Sequence, residues 1–165
     1  LSIEWQEDSM EKATFGAGCF WGVEVSFGRI PGVIETAVGY EGGKLDKPTY
    51  RDVCTDRTGH AEVVELEFDP GKVSYETIVK AFFELHDPTT LNRQGPDWGH
   101  QYRSAIFFHS PEQEATAKKV IEELTAAKRF SRPIVTEVVP AQTFWRAEEY
   151  HQKYLEKRGA VSCHI

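Results

Sequence analysis

Cys19 sits in the run Gly16-Ala17-Gly18-Cys19-Phe20-Trp21-Gly22, between a short strand pattern and a helical one. The unpaired backbone N–H groups of a helix start stabilise negative charge placed against them, so a cysteine there is a candidate thiolate. An ordinary thiol, with a pKa of ~8.5, is only ~3% ionised at neutral pH. Lowering it by about two units, roughly 2.7 kcal/mol, makes most of it thiolate, the form that attacks. The plainer reading, a small buried cysteine at a tight turn, is outweighed by the flanking glycines and the helix start. A dinucleotide-binding turn needs G-x-G-x-x-G with small residues near the pyrophosphate. The spacing here is G-x-G-x-x-x-G, and Phe20 and Trp21 fill the approach, so that reading is rejected.

Phe20 and Trp21 suit a small apolar group such as a methyl or a thioether, not a charge. The local sequence leaves open whether they line a pocket or belong to the core. Glu62 opens the clearest alternation in the chain and shares a strand face with Val64, Leu66 and Phe68, while Glu65 and Glu67 point the other way. A carboxyl at the start of a buried face loses hydration, which favours its neutral form. That is one way to keep an acid available for proton delivery at neutral pH. The alternative is a frayed, solvated strand end. Tyr50, Tyr102 and Asp97 lie in loops, where tyrosines are more often packing residues than ligands. Cys54 reads as an inert spare thiol. Cys163 is third from the end, in a terminal segment of the kind that reaches a partner only by docking or swinging. Cys19, Cys54, Cys163, His60 and His164 could be imagined as zinc ligands, but no C-x-x-C or H-x-x-x-H pair supplies the local spacing.

The elements that must position these residues follow from periodicity and caps. Residues 12–18 read as a strand, 20–29 as a helix and 33–40 as a strand with Ile34, Thr36, Val38 and Tyr40 on one face. A polar loop runs to Gly59. After the strand at 62–68, Asp69-Pro70-Gly71 makes a turn, and Ser74 caps a helix over 75–86. Residues 104–109 are a strand. Ser110, Pro111 and Gln113 open a helix with a buried stripe of Ala117, Val120, Ile121 and Leu124. A strand at 134–139 and a helix at 145–157 complete the chain. The order predicts an α+β two-layer sandwich: a ferredoxin-like βαββαβ core with a mixed sheet and an extra αβα at the C-terminus. The stretch 87–104 has no periodicity, and so long a loop in one domain is usually functional.

The chain has 165 residues, with 19 Lys and Arg against 26 Asp and Glu, a formal net charge of -7. The acidic balance argues against a nucleic-acid binder, and no apolar run approaches the ~18 residues of a membrane span. An odd count of 3 cysteines is no disulfide scaffold and fits a reducing, cytoplasmic setting. Residues 1–11 read as an N-terminal linker or leader, and residues 12–165 as one catalytic domain with a tail at 158–165.

Five stretches together resemble the methionine sulfoxide reductase A family. They are Gly18-Cys19-Phe20-Trp21-Gly22, Pro48-Thr49-Tyr50-Arg51, Thr58-Gly59-His60-Ala61-Glu62, His86-Asp87-Pro88-Thr89-Thr90 and the stretch from Arg93 to Ser104. The resemblance covers about residues 12–155. It implies an α+β sandwich and reduction of methionine S-sulfoxide, free or in proteins. Cys19 would be the nucleophile and Glu62 the proton donor. Tyr50, Tyr102 and Asp97 would surround the sulfoxide oxygen, and Phe20 and Trp21 would hold the substrate methyl. Asp56, where the family often has glycine, and His100, where it often has threonine, depart from the pattern. Some members are one domain of a larger fusion.

The chemistry agrees with the resemblance. A sulfoxide sulfur is electrophilic only once its oxygen is protonated or strongly hydrogen-bonded. Its reduction therefore needs a thiolate, an acid, donors on oxygen and a dry seat for the methyl. Attack by Cys19 leaves a sulfenic acid. Cys163, the other thiol on a terminal segment, condenses with it to a disulfide, which an external dithiol such as thioredoxin resets. No metal or organic cofactor is expected, and the chain is expected to act as a monomer. The alternatives are a thiol peroxidase using the same cysteine on a hydroperoxide and a non-catalytic domain that binds methionine-rich partners. Relative rates on sulfoxide and peroxide separate the first from a reductase, and the absence of turnover identifies the second.

Overall fold

The alternation at 62–68 becomes β3 (Ala61–Phe68), a central strand of the sheet. The computed structural model describes residues 10–159. On one side β3 pairs with β1 (Glu11–Ala17) and on the other with β2 (Val33–Glu41), both antiparallel. Beyond β1 lie β6 (Ser104–Phe108), antiparallel to it, and β7 (Glu137–Pro140), parallel to β6. The order β6-β1-β3-β2 is that of a split βαβ pair, and the parallel β7 makes the sheet mixed.

One face of the sheet packs against α1 (Phe20–Gly28), α3 (Tyr75–Glu84) and α4 (Pro111–Ala126). Phe15 of β1 anchors this layer, its ring centroid 5.0 Å from those of Phe27 and Phe82. Ser74 and Ser110 cap their helices through Thr77 N and Gln113 N. Gln113 does not complete a reciprocal box. Its amide accepts from His109 N at 2.9 Å and donates to Lys12 O at 2.8 Å, tying α4 to β1. The other sheet face is a small cluster of Ala61, Val63, Ala105 and Phe107 under Val139, Ala141 and Phe144.

Four expectations need correction. Ile34 does not share the face of Val38 and Tyr40: a register shift between Val33 and Glu35 turns it out, and it is 55% exposed. The loop before Gly59 contains a short helix, α2 (Tyr50–Cys54), and the stretch 87–104 holds a two-strand hairpin, β4 (Arg93–Gln94) with β5 (Asp97–Trp98), and a 3₁₀ turn over His100–Tyr102. The helix expected at 145–157 is broken. Residues Trp145–Arg146 form β8 on the edge of β2, a 3₁₀ turn follows at Glu149–His151, and only Tyr154–Lys157 is α-helical, as α5. The cause is the open edge of β2, whose backbone groups need partners. Ala147 N donates to Val38 O at 2.9 Å. The Gln152 amide accepts from Val38 N and donates to Val38 O, each at 2.9 Å.

Candidate active site

Cys19 is the N-cap residue of α1 and is partly exposed. The turn that delivers it requires glycine at position 18, where φ is +98°. A Cβ there would also lie 2.8 Å from the Gln94 side chain. Gln94 is held in turn by two hydrogen bonds to Asp87, one accepted from its N–H and one donated to its carbonyl, both 2.8 Å. The loop whose length suggested function is thus folded against the residue preceding the cysteine.

Glu62 meets the same helix start. Its Oε1 accepts from Phe20 N at 3.2 Å, across 42 residues of sequence, and it is 1% exposed. The parity argument holds: Glu62 lies opposite Tyr40 on β2, and its strand face continues through Val64, Leu66 and Phe68 into the main core. The frayed-end alternative is excluded.

Tyr50 opens α2 behind a capping box, in which Thr49 Oγ1 accepts from Asp52 N and Asp52 accepts from Thr49 N. Glu148 pins the same point from the C-terminal segment. It accepts from Tyr50 N through Oε2 and from the Tyr40 hydroxyl through Oε1, each at 2.9 Å. Tyr102 ends the 3₁₀ turn. Burial first, and the Glu62 carboxyl second, push both the Tyr50 and Tyr102 phenols well above their ordinary range. Both hydroxyls therefore remain protonated and available as donors. Asp97 and Cys19 are among the groups acting on Tyr102, so the geometry gathers Cys19, Glu62, Tyr50, Tyr102 and Asp97 in one neighbourhood.

The fold places the two aromatics differently. Phe20 is 1% exposed and packs near Tyr40, centroids 5.8 Å apart, as core. Trp21 is half-buried, stacked on Tyr154 at 3.9 Å and 11°, and its Nε1–H donates to His151 Nδ1 at 3.0 Å. His151 is itself buried and also contacts the Tyr50 ring, centroids 4.5 Å apart. Sequence reasoning missed Tyr40, Gln94, Glu148, His151 and Tyr154. The signal present was the spacing of Glu148, His151 and Tyr154, which suits one face of the helix expected over 145–157.

Cys54 is at the site rather than remote from it. It shares a hydrogen bond with Tyr50, one helical turn earlier. Loss of hydration and the nearby Glu62 and Glu148 carboxyls push its thiol up, against the pull of that hydrogen bond. Cys163 lies outside the described residues. The two atypical positions contact each other: Asp56 Oδ1 accepts from His100 N at 2.8 Å and lies 3.1 Å from His100 Nδ1, linking the end of α2 to the Tyr102 turn. Among the described residues no three His, Cys, Asp or Glu side chains gather as a metal would require, and no helix is long and apolar enough to cross a membrane.

A family profile described as peptide methionine sulfoxide reductase matches residues 11–165. A protein of Acidobacterium capsulatum named peptide methionine sulfoxide reductase MsrA is 71% identical over 156 residues, 94% of this chain and 100% of that one. Among solved structures, methionine sulfoxide reductase A of Corynebacterium diphtheriae superposes with a TM-score of 0.81 at 40% identity, covering 92% of this chain and 76% of that one. Reduced Mxr1 from Saccharomyces cerevisiae gives a TM-score of 0.87 at 35% identity, covering 92% of this chain and 87% of that one. Mxr1 has also been solved in complex with Trx2; that form gives a TM-score of 0.63 at 23% identity, covering 89% and 86%.

Proposed function

Because the chain belongs to the peptide methionine sulfoxide reductase MsrA family, an oxidoreductase family, we propose a residue-by-residue course for its reduction of methionine sulfoxide. The observation that carries it is Glu62 on Phe20 N, which brings a buried carboxyl to the helix start that Cys19 caps. The Cys19 thiolate attacks the sulfoxide sulfur while Glu62 gives its proton to the oxygen. Tyr50 and Tyr102 donate hydrogen bonds to that oxygen, and Asp97 orients the donors. The oxygen passes to Cys19 as a sulfenic acid, and methionine leaves as the thioether. The substrate methyl rests against Trp21, with Phe20 behind it as the packed floor.

Cys163 then condenses with the sulfenic acid, losing water and forming a Cys19–Cys163 disulfide. A thioredoxin dithiol reduces this disulfide and becomes a disulfide itself. The Mxr1 complex with Trx2 supports thioredoxin as reductant, and dithiothreitol can replace it in vitro. Cys54 is the poorer candidate for resolution, because its raised thiol is less often ionised and its sulfur is tied to Tyr50. No organic cofactor or metal is needed, since electrons enter through thiols. The chain is read as acting as a monomer, and a thiol-based cycle suits the reducing cytoplasm. Residues 12–165 act as one catalytic domain.

The decisive experiment oxidises the full chain with one equivalent of substrate, digests it without reduction and maps the disulfide by mass spectrometry. A Cys19–Cys163 link is expected. A Cys19–Cys54 link would move resolution to Cys54, and no link would mean direct reduction by an external thiol. Cys163→Ser is expected to reduce one sulfoxide per enzyme, stall with thioredoxin and recover in part with dithiothreitol.

Membership of the family implies the S epimer, and the geometry gives a physical reason why only one epimer is reduced. Methyl, oxygen and sulfur are fixed together, so the mirror arrangement would turn the oxygen toward Trp21 and strand buried donors. Each stranded group costs about 1–3 kcal/mol. Consumption of a racemic sulfoxide should stop at half; continuation past half at an undiminished rate would refute the geometry.

A further inference from the structure

Asp56 and His100 join the two parts of the site that carry the tyrosine hydroxyls. Asp56 follows the C-cap of α2, the helix that Tyr50 opens, and its N–H donates to Val53 O at 3.0 Å. His100 opens the 3₁₀ turn that Tyr102 ends. Across 44 residues of sequence, Asp56 Oδ1 accepts from His100 N at 2.8 Å and from His100 Nδ1 at 3.1 Å. A carboxylate oxygen can only accept, so Nδ1 carries the ring proton. The turn is gripped from its other side as well. The His100 carbonyl accepts from the Arg103 guanidinium at 2.9 Å, and that guanidinium donates to Glu137 of β7 at 3.1 Å. The Tyr102 turn is thus held between α2 and the sheet. Asp56 also stands where a helix end favours glycine, with φ at +63°. Both side chains of the pair are exposed, so it adds little to stability. Its effect is on position.

We propose that Asp56 is a positioning residue for the reduction: by holding both N–H groups of His100 it fixes the Tyr102 hydroxyl relative to that of Tyr50, so that the two converge on one oxygen. The proposal rests on the reading of Tyr50 and Tyr102 as the oxygen donors. The two phenols are near enough for Tyr102 to act on Tyr50, and both face Glu62 and Cys54. They nevertheless belong to separate elements. Glu148 anchors Tyr50 through its backbone N–H, while Tyr102 N donates to Gly99 O at 3.0 Å, so Tyr102 moves with the turn that His100 opens. A hydrogen bond weakens steeply as its donor is misplaced, and donors matter most as charge gathers on the oxygen in the transition state. Loss of the tie should therefore slow the reaction more than it weakens binding.

The test measures the first turnover of the reduced full-length chain, without external reductant, over a range of N-acetylmethionine sulfoxide concentrations. Asp56→Gly removes the carboxylate and suits the positive φ, so the unfolding midpoint should stay within about 4 °C of wild type. Its limiting rate is expected to fall about threefold to tenfold, the worth of one hydrogen bond, with half-saturation within about twofold of wild type. Asp56→Asn keeps an acceptor oxygen and tolerates the same φ, and should hold the limiting rate within about twofold. In a Tyr102→Phe background Asp56→Gly should add nothing, and in a Tyr50→Phe background it should keep its effect. A Tyr102→Phe effect with no Asp56→Gly effect would overturn the proposal alone. So would an Asp56→Gly effect that adds in full to that of Tyr102→Phe, or one that Asp56→Asn shares in full. No Tyr102→Phe effect would remove the donor reading and the proposal with it. Should Asp56→Gly destabilise the chain, His100→Pro cuts the same tie from the other end. Proline lacks the N–H and fits the first position of the turn, after Gly99 with ψ at +159°. It should reproduce the slowed limiting rate, and a wild-type rate would overturn the proposal.

Discussion

Cys19→Ser is expected to leave under about 1% of wild-type turnover on a methionine sulfoxide substrate while the protein remains folded. Serine is among the preferred N-cap residues, so position 19 at the head of α1 accepts it without loss of helix stability. What changes is the nucleophile: an alcohol is not appreciably ionised near neutral pH, whereas a thiol at a helix start can be. The substitution therefore separates chemistry from architecture. Methionine formation with excess dithiothreitol reads the first, and the thermal unfolding midpoint reads the second. Turnover above that level with an unchanged midpoint would assign the attack to Cys54 or Cys163. Dithiothreitol matters here because it bypasses resolution, so a defect in the Cys163 step cannot be mistaken for loss of the nucleophile.

The order of strands was legible because it rests on local signals. The period-two pattern of β3, the serine caps of α3 and α4, and the glycines before Cys19 each specify their element without help from elsewhere. The helix α2 carried such a signal too, in Thr49 and Asp52, but it is only five residues long and has no apolar period to support the cap. Residues 145–157 fail for a different reason. Their helical spacing is real, yet the edge of β2 offers backbone partners and Gln152 supplies a side chain that imitates a strand. No window of sequence contains both halves of that interaction.

The site divides in the same way. Strand parity put Glu62 on the buried face and the glycine turn put Cys19 at the helix start, because each is positioned by its own element. Tyr40, Glu148 and His151 gain their roles only when β2, α2 and the C-terminal segment meet. Glu148 is the clearest case. In sequence it is one acid among several, and in the fold its two oxygens join the strand of Tyr40 to the helix start of Tyr50. Cys54 looked spare for the reverse reason: its neighbour Tyr50 is one turn away on a helix the sequence had not disclosed.

Glu62→Gln is expected to slow the first turnover by about 10²–10⁴-fold, the usual contribution of a positioned general acid. The amide can still accept from Phe20 N and can donate to the sulfoxide oxygen, so substrate should bind with a half-saturating concentration within about threefold of wild type. What it cannot do is part with a proton. Tyr50 and Tyr102 are poor substitutes, because the same burial that keeps their hydroxyls as donors pushes their acidity out of reach at neutral pH. They can polarise the S–O bond, but once the oxygen moves to Cys19 its charge must be neutralised, and a carboxyl is the strongest acid present to do it. The limiting rate should therefore fall while half-saturation holds. If the limiting rate stays within about threefold of wild type, hydrogen bonding from the two tyrosines is enough and proton delivery by Glu62 is not part of the reaction.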